Sequence, residues 1–290
     1  WQGIVISAAS LTVGWLVYDY LCKSGLGNRP TFLMVLLFVL LVAMGWGYNQ
    51  IFTGRAMMLH LGAFTATIMT ANVFFIIMPN QRIVVKDLQE GRTPDPKYGA
   101  IAKLRSTHNN YLTLPVIFLM LSNHYPLAFA TQYNWIIASL VFLMGVTIRH
   151  YFNSMHARKG EPTWTWLVTA LLFLAIIWLS SAGYGQPEAD EEAALTPTQA
   201  IFAEAEGYDE VRDIVLGRCS MCHAREPFQE GIRWAPKGLY LETNHDIAAA
   251  ARLIFVQAGI SDAMPPANVS YMEPQERELI VRWYNAARSG

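Results

Sequence analysis

The sequence predicts an all-α protein in two parts: a polytopic bundle of six transmembrane helices followed by a small helical domain. Three observations carry this. The 290-residue chain is 53% hydrophobic and only 15% charged, too apolar for two ordinary water-soluble domains. The charges are uneven: residues 1–181 hold 12 Lys and Arg against 5 Asp and Glu, and residues 182–290 hold 9 against 17. The net charge of −1 thus conceals a +7 part and a −8 part, as expected of a bilayer-embedded region joined to an acidic aqueous one. Third, apolar runs of the ~20 residues needed to cross about 30 Å of hydrocarbon recur along the first part.

These runs fall at about 2–22, 31–51, 56–78, 107–123, 133–151 and 162–182. They lack the two-residue alternation of barrel strands, so helices must satisfy their backbone groups. The loops after the first, third and fifth runs carry eleven basic residues, from Lys23 and Arg29 to Arg158 and Lys159, whereas the opposite loops carry only Arg55. By the positive-inside rule the former face the cytoplasm, and everything after residue 182 lies on the other side. The chain opens on Trp1, directly in apolar sequence and without the pattern of a signal peptide, so a preceding segment is expected.

The membrane part is therefore bounded at 1–182. Residues 183–198, "GYGQPEADEEAALTPT", are small, acidic and punctuated by proline, the composition of a linker. The remaining 199–290 form a domain small enough that a covalently held cofactor would help it fold. Helices are expected near 198–218, 246–258 and 274–288, the last with Leu279, Ile280, Trp283 and Ala287 on one apolar face.

The chain has three cysteines, too few for a disulfide framework, and two of them sit in "GRCSMCHAREP". The spacing C-x-x-C-H is that of a c-type haem attachment site, with Cys219 and Cys222 forming thioethers and His223 ligating the iron. A zinc site would want two further Cys or His at matching spacing. The sixth iron position is assigned to Met264 in "SDAMPPANVSYME", with Met272 and His245 as rivals. The tail thus reads as a class I-like cytochrome c domain.

Ionisable and amide side chains in a membrane helix are functional candidates. They cluster at "RSTHNNY" (Arg105, His108, Asn109, Asn110) and "RHYFNSMH" (Arg149, His150, Asn153, His156), and on the other side at His60 and at Asn123 and His124. Antiparallel packing would bring the start of the fourth run near the end of the fifth, a polar pocket suited to an anionic heterocycle. Asp19, four residues before Lys23, reads as a helix-end pair.

"RHYFNSMHARKGEPTWTW", "GIRWAPKGLYLET" and "AGISDAMPPAN", with the order of spans, linker and haem motif, resemble the bacterial membrane-bound urate hydroxylase family, also called cytochrome c urate oxidase. The resemblance covers essentially the whole chain. It implies oxidation of urate to 5-hydroxyisourate in purine catabolism. Electrons would pass through haem c to a soluble cytochrome c or a terminal cytochrome c oxidase, without hydrogen peroxide. It also implies an inner-membrane location with the cytochrome domain in the periplasm, and further helices before Trp1. The catalytic candidates are His108, Asn109, Arg105, His150, His60 and His124. The stretch around His60 loosely resembles the histidine-bearing helices of small membrane haem b proteins, which implies that His60, with a histidine outside this chain, ligates a haem b. Competing readings are a membrane-anchored electron carrier and a transporter with a redox sensor. The lipid bilayer is a partner in all three, and no nucleic-acid partner is expected.

Overall fold

The computed structural model describes residues 1–181, 194–232 and 234–289. The expected linker at 183–198 lies for the most part outside these. Among the described residues there is no strand. The chain divides into two compact units, one of Trp1–Phe129 and Tyr133–Ser180, the other holding the C-terminal residues.

In the first unit the elements are α1 (Gln2–Lys23), α2 (Pro30–Ile51), α3 (Gly54–Gln89), α4 (Pro96–Leu121), α5 (Asn134–His156) and α6 (Trp164–Ser181). Local chemistry sets their starts. Pro30 and Pro96 occupy first-turn positions, where their missing N–H costs nothing. Thr53 and Asp95 cap α3 and α4 through Ala56 N–H and Lys97 N–H. Within α3 the residues Asn72–Ile77 form a π turn, and Met78 N–H reaches back five residues to Val73 O.

Five of these helices, all but α4, are long and apolar enough to cross a membrane. This corrects the expectation of six apolar spans. The fourth run, placed at 107–123, is helical, but it belongs to a 26-residue helix that carries Lys97, Lys103, Arg105, His108, Asn109 and Asn110. One face of it turns inward: Arg105 and His108 are buried together with Leu112, Pro115 and Leu119, while Lys97 and Lys103 are exposed. The third run continues past residue 78 to Gln89, making a 36-residue helix.

The core of this unit joins Leu33, Leu37, Leu41 and Tyr48 of α2 to Met57, Leu61, Phe64 and Ile68 of α3, and to Ile137, Val141 and Phe142 of α5. Spacings of three and four residues put each set on one helix face. The outer faces are apolar too. On α6 only Thr165 and Leu179 are buried, while Leu167, Leu171, Phe173, Leu174 and Trp178 are exposed. Such surface would be costly in water and is ordinary in contact with lipid.

The second unit contains α7 (Pro197–Ala203), α8 (Tyr208–Arg218), α9 (Ser220–His223), α10 (Asn244–Ala249), α11 (Ala251–Ile260) and α12 (Pro274–Ser289). The helix expected over 198–218 is two: α7 ends at Ala203, and Gly207, in a left-handed conformation at φ +83°, precedes the start of α8. Capping boxes start α7 (Thr196 with Gln199) and α10 (Thr243 with Asp246). Ile280, Trp283 and Ala287 of α12 are buried as expected, with Tyr284 joining them, while Leu279 is half-buried. Ile280, Trp283 and Tyr284 share a core with Val211 and Val215 of α8 and Ile254 and Ala258 of α11.

The α1–α3 contact depends on Gly14, where an added Cβ would lie 2.1 Å from the Phe64 ring, itself 1% exposed. Gly47 on α2 has open space around it. Gly14→Ala should therefore lower the thermal midpoint in detergent, at a cost of about 1–3 kcal/mol. Gly47→Ala should leave it unchanged or raise it slightly.

Candidate functional site

A buried polar nest forms where α1, the π turn of α3 and the first half of α4 meet. From α1 come Tyr18, Asp19 and Cys22; from α3, Asn72; from α4, Arg105, His108 and Asn109, at i, i+3 and i+4 on one face. Asn72 is fully buried, and Arg105 and His108 are 2% and 1% exposed.

Arg105 Nη2 donates to Asp19 Oδ1 at 2.6 Å and to the Asp19 carbonyl at 3.3 Å, while Nη1 donates to Asn72 Oδ1 at 3.2 Å. The guanidinium also lies over the Tyr18 ring, 4.9 Å from its centroid. Asn72 Nδ2 donates to Asn109 Oδ1 at 2.9 Å and to the Tyr18 hydroxyl at 3.1 Å. Asn109 Nδ2 donates to Met69 O at 2.9 Å. Tyr18 Oη and His108 Nδ1 are 2.8 Å apart. The other ring nitrogen, His108 Nε2, is buried and has no partner among the described residues. A buried polar atom with no bond is costly, which singles out this atom within the nest.

The sequence expectation of one pocket between the start of the fourth run and the end of the fifth is met only in part. Arg149 Nε donates to Asn110 Oδ1 at 2.9 Å, and Tyr111 Oη lies 3.1 Å from His150 Nδ1. Helical periodicity turns Arg105, His108 and Asn109 the other way, toward α1 and α3. His150, half-buried, therefore stands with Tyr111 and Trp164 rather than in the nest. Asn153 is half-buried and His156 exposed.

On the remaining side, His60 Nδ1 lies 2.7 Å from Ala56 O and its ring stacks on Phe52 at 4.2 Å. Donation to that carbonyl leaves Nε2 with a lone pair, the form that ligates iron. His60 precedes Asn72 on α3 by a helix rise of about 18 Å. His124 is exposed in a single 3₁₀ turn, Ser122–His124.

Sequence reasoning missed Tyr18 and Asn72 and read Asp19 only through Lys23. That pair exists, with Lys23 Nζ 2.6 Å from Asp19 Oδ2, but Arg105 holds the other carboxylate oxygen. The signal for Asn72 was an amide in the apolar run "TIMTANVFF", where an unpaired side-chain amide is expensive.

In the second unit the C-x-x-C-H residues follow directly on α8. Cys219 and Cys222 are free thiols, and Cys219 packs against the core of the unit. Burial, helped by the neighbouring Cys222, pushes the Cys219 thiol up to about 12, and burial raises Cys222 as well. His223 Nδ1 lies 2.8 Å from Leu239 O, so the ring donates there and keeps an Nε2 lone pair. Burial holds that imidazole below its usual range and hence neutral.

Met264 packs at the edge of the same core, and its carbonyl accepts from Arg277 Nη1 at 2.9 Å. Its rival Met272 is only 2% exposed and belongs to the core itself. His245 Nε2 lies 3.4 Å from the Gln199 amide. Among the described residues no group of three His, Cys, Asp or Glu converges as an ion site. The donor set of Cys219, Cys222, His223 and Met264 fits a covalent haem in its chemistry: two free thiols, a neutral imidazole with an Nε2 lone pair, and a thioether.

Arg225 braces this region, donating from Nη1 to Glu242 Oε2 at 2.8 Å and to Asp246 Oδ2 at 3.2 Å. Burial works against the charge on Asp246, but Thr243 and Arg225 outweigh it and hold the carboxyl below its usual range. For Glu276 burial is likewise outweighed, by Arg218 and the Glu273 N–H. Depressed carboxyls stabilise the fold above their unfolded value of about 4 and lose that contribution as pH falls through the folded value. Unfolding of this unit followed by circular dichroism should ease steadily below about pH 4, and Asp246→Asn should flatten the slope. In the nest, Asp19→Ala strands a buried guanidinium and should cost about 3–5 kcal/mol in a detergent melt. Lys23→Ala, at the exposed end, should cost under about 1 kcal/mol.

Comparison with known proteins gives one result for this region. A family described as "Urate oxidase N-terminal" matches residues 1–180, which include all of α1 to α5 and every residue of the nest. No curated protein and no solved structure matches the chain. The match spans more than half of the 290 residues, and the chain belongs to the urate oxidase N-terminal family.

Proposed function

We propose that this chain is a membrane-bound urate hydroxylase that oxidises urate at the buried nest and delivers the electrons to a c-type haem on its C-terminal unit. The observation that supports this reading is the unpartnered Nε2 of His108, inside the region that matches the urate oxidase family.

The reaction balances as urate plus water giving 5-hydroxyisourate, two protons and two electrons. A C–O bond forms between water and the purine C5, and the oxygen comes from water rather than from O₂, so no hydrogen peroxide arises. His108 contacts the substrate. Arg105 is committed to Asp19 and Asn72, so it sets the field of the site and the orientation of its amides rather than clamping an anion directly. Tight packing of α1, α3 and α4 around these groups excludes bulk water and strengthens each hydrogen bond.

Cys219 and Cys222 would anchor haem c, and His223 and Met264 would hold its iron. Such a group would supply one-electron transfer toward a soluble cytochrome c or a terminal oxidase. His60, with its Nδ1 committed to Ala56 O, is the residue of this chain that would hold a haem b. The long apolar helices and the basic loops support an inner-membrane location, with the C-terminal unit on the periplasmic side.

The test is an anaerobic visible spectrum of the purified full-length protein before and after addition of urate, with xanthine as control. The expected result is reduction of the c-type bands by urate alone, with the rate lowered about 10²-fold in His108→Leu and the dithionite-reduced spectrum unchanged. Reduction by dithionite but not by urate would overturn the proposal in favour of a membrane-anchored electron carrier.

A further inference from the structure

The hydrogen bonds of the nest run in one direction, and that direction fixes a proton. A guanidinium only donates and a backbone carbonyl only accepts. Arg105 at one end therefore identifies the Asn72 atom it meets as Oδ1, and Met69 O at the other end identifies the Asn109 atom it meets as Nδ2. Both amides are thereby oriented, and Asn72 Nδ2 must donate to Asn109 Oδ1 and to the Tyr18 oxygen. The Tyr18 oxygen already accepts, and its own proton needs an acceptor. Two groups stand beside it: the Cys22 sulfur, a weak acceptor, and His108 Nδ1 at 2.8 Å. The proton goes to the imidazole nitrogen.

From this we infer that Tyr18 is a positioning residue that holds His108 as the Nε2–H tautomer, so that the nest offers its ligand a hydrogen-bond donor rather than a base. The ligand must then present an acceptor to that N–H, as a planar heterocycle does through a ring carbonyl oxygen or an unprotonated ring nitrogen. This inference rests on the proposed function for the identity of the ligand, and it assigns that ligand's contact. His108 is 1% exposed, and among the described residues no side chain is bonded to its Nε2. The proton lost by the water that attacks the purine C5 is one of the two released in the overall reaction and is not taken up by His108. His108 instead stabilises negative charge gathering on the acceptor atom it contacts.

The test uses full-length, haem-loaded protein in lipid nanodiscs, labelled with ¹⁵N-histidine and assigned by the signals lost in His108→Gln. The expected spectrum has His108 Nδ1 unprotonated and Nε2 protonated, with added urate moving the Nε2 signal and leaving Nδ1 nearly in place. Tyr18→Phe should mix the tautomers and slow haem reduction by urate about tenfold. In a His108→Leu background the same change should add less than about twofold, because the two residues act through one contact. An Nδ1–H ring in the unaltered protein, or equal penalties from Tyr18→Phe in both backgrounds, would overturn the inference. If urate neither binds nor reduces the haem, the functional reading falls instead, and the ring-nitrogen signals still decide which tautomer Tyr18 enforces.

Discussion

A guanidinium buried among apolar helices is tolerable only if its charge is neutralised and its N–H groups are occupied, and the interior of the first unit is organised around that demand. Arg105 obtains a carboxylate from α1 and an amide oxygen from α3, and it rests on the face of Tyr18. Three helices distant in sequence are thus tied at one point. The tie is worth little as net stability, because desolvation takes back most of the Coulombic gain. Its value lies in specificity: a one-residue slip of α1, α3 or α4 would strand a charge or an amide in a low-dielectric interior.

Once Arg105 is fixed, the neighbouring polar groups have little freedom. The amides of Asn72 and Asn109 can point only one way, Tyr18 is left with one proton to place, and His108 with one nitrogen to offer. An ion pair that looks structural therefore reaches, through three hydrogen bonds, the atom proposed to meet the substrate. The second unit uses the same economy on a smaller scale. Leu239 O fixes the tautomer of His223, and Arg225 ties the segment after the C-x-x-C-H motif to Glu242 and Asp246.

Much of the first unit's architecture was legible in the sequence, because apolar runs of bilayer length are strong, local signals. Arg105, His108 and Asn109 were singled out because ionisable and amide groups stand out in apolar sequence. Their true partners were not legible. Tyr18 and Asn72 lie 90 and 36 residues from His108 and carry no spacing that links them to it. Pairing between helices depends on rotation about each axis, and an apolar run long enough to span a membrane says little about its own rotation. That is why Arg149 and His150 were expected beside Arg105 and were found with Asn110 and Tyr111 instead. The fourth helix was counted among the apolar spans because its polar residues were read as lying at a membrane surface, whereas Arg105 and His108 are packed inside the bundle and Lys97 and Lys103 are exposed.

The π turn at Asn72–Ile77 adds a point about helix phase. One extra residue in a turn rotates all that follows by about 100° relative to a regular helix. The half of α3 before the turn is keyed to the interior by Met57, Leu61, Phe64 and Ile68, while the half after it has no buried residue and carries Arg82 and Lys86. The turn is thus a phase joint between two faces with separate duties, one set by packing and the other by charge. Asn72, the amide that links Arg105 to Tyr18, sits at that joint, so any change that restored regular helix there would swing either the amide or the basic face out of place.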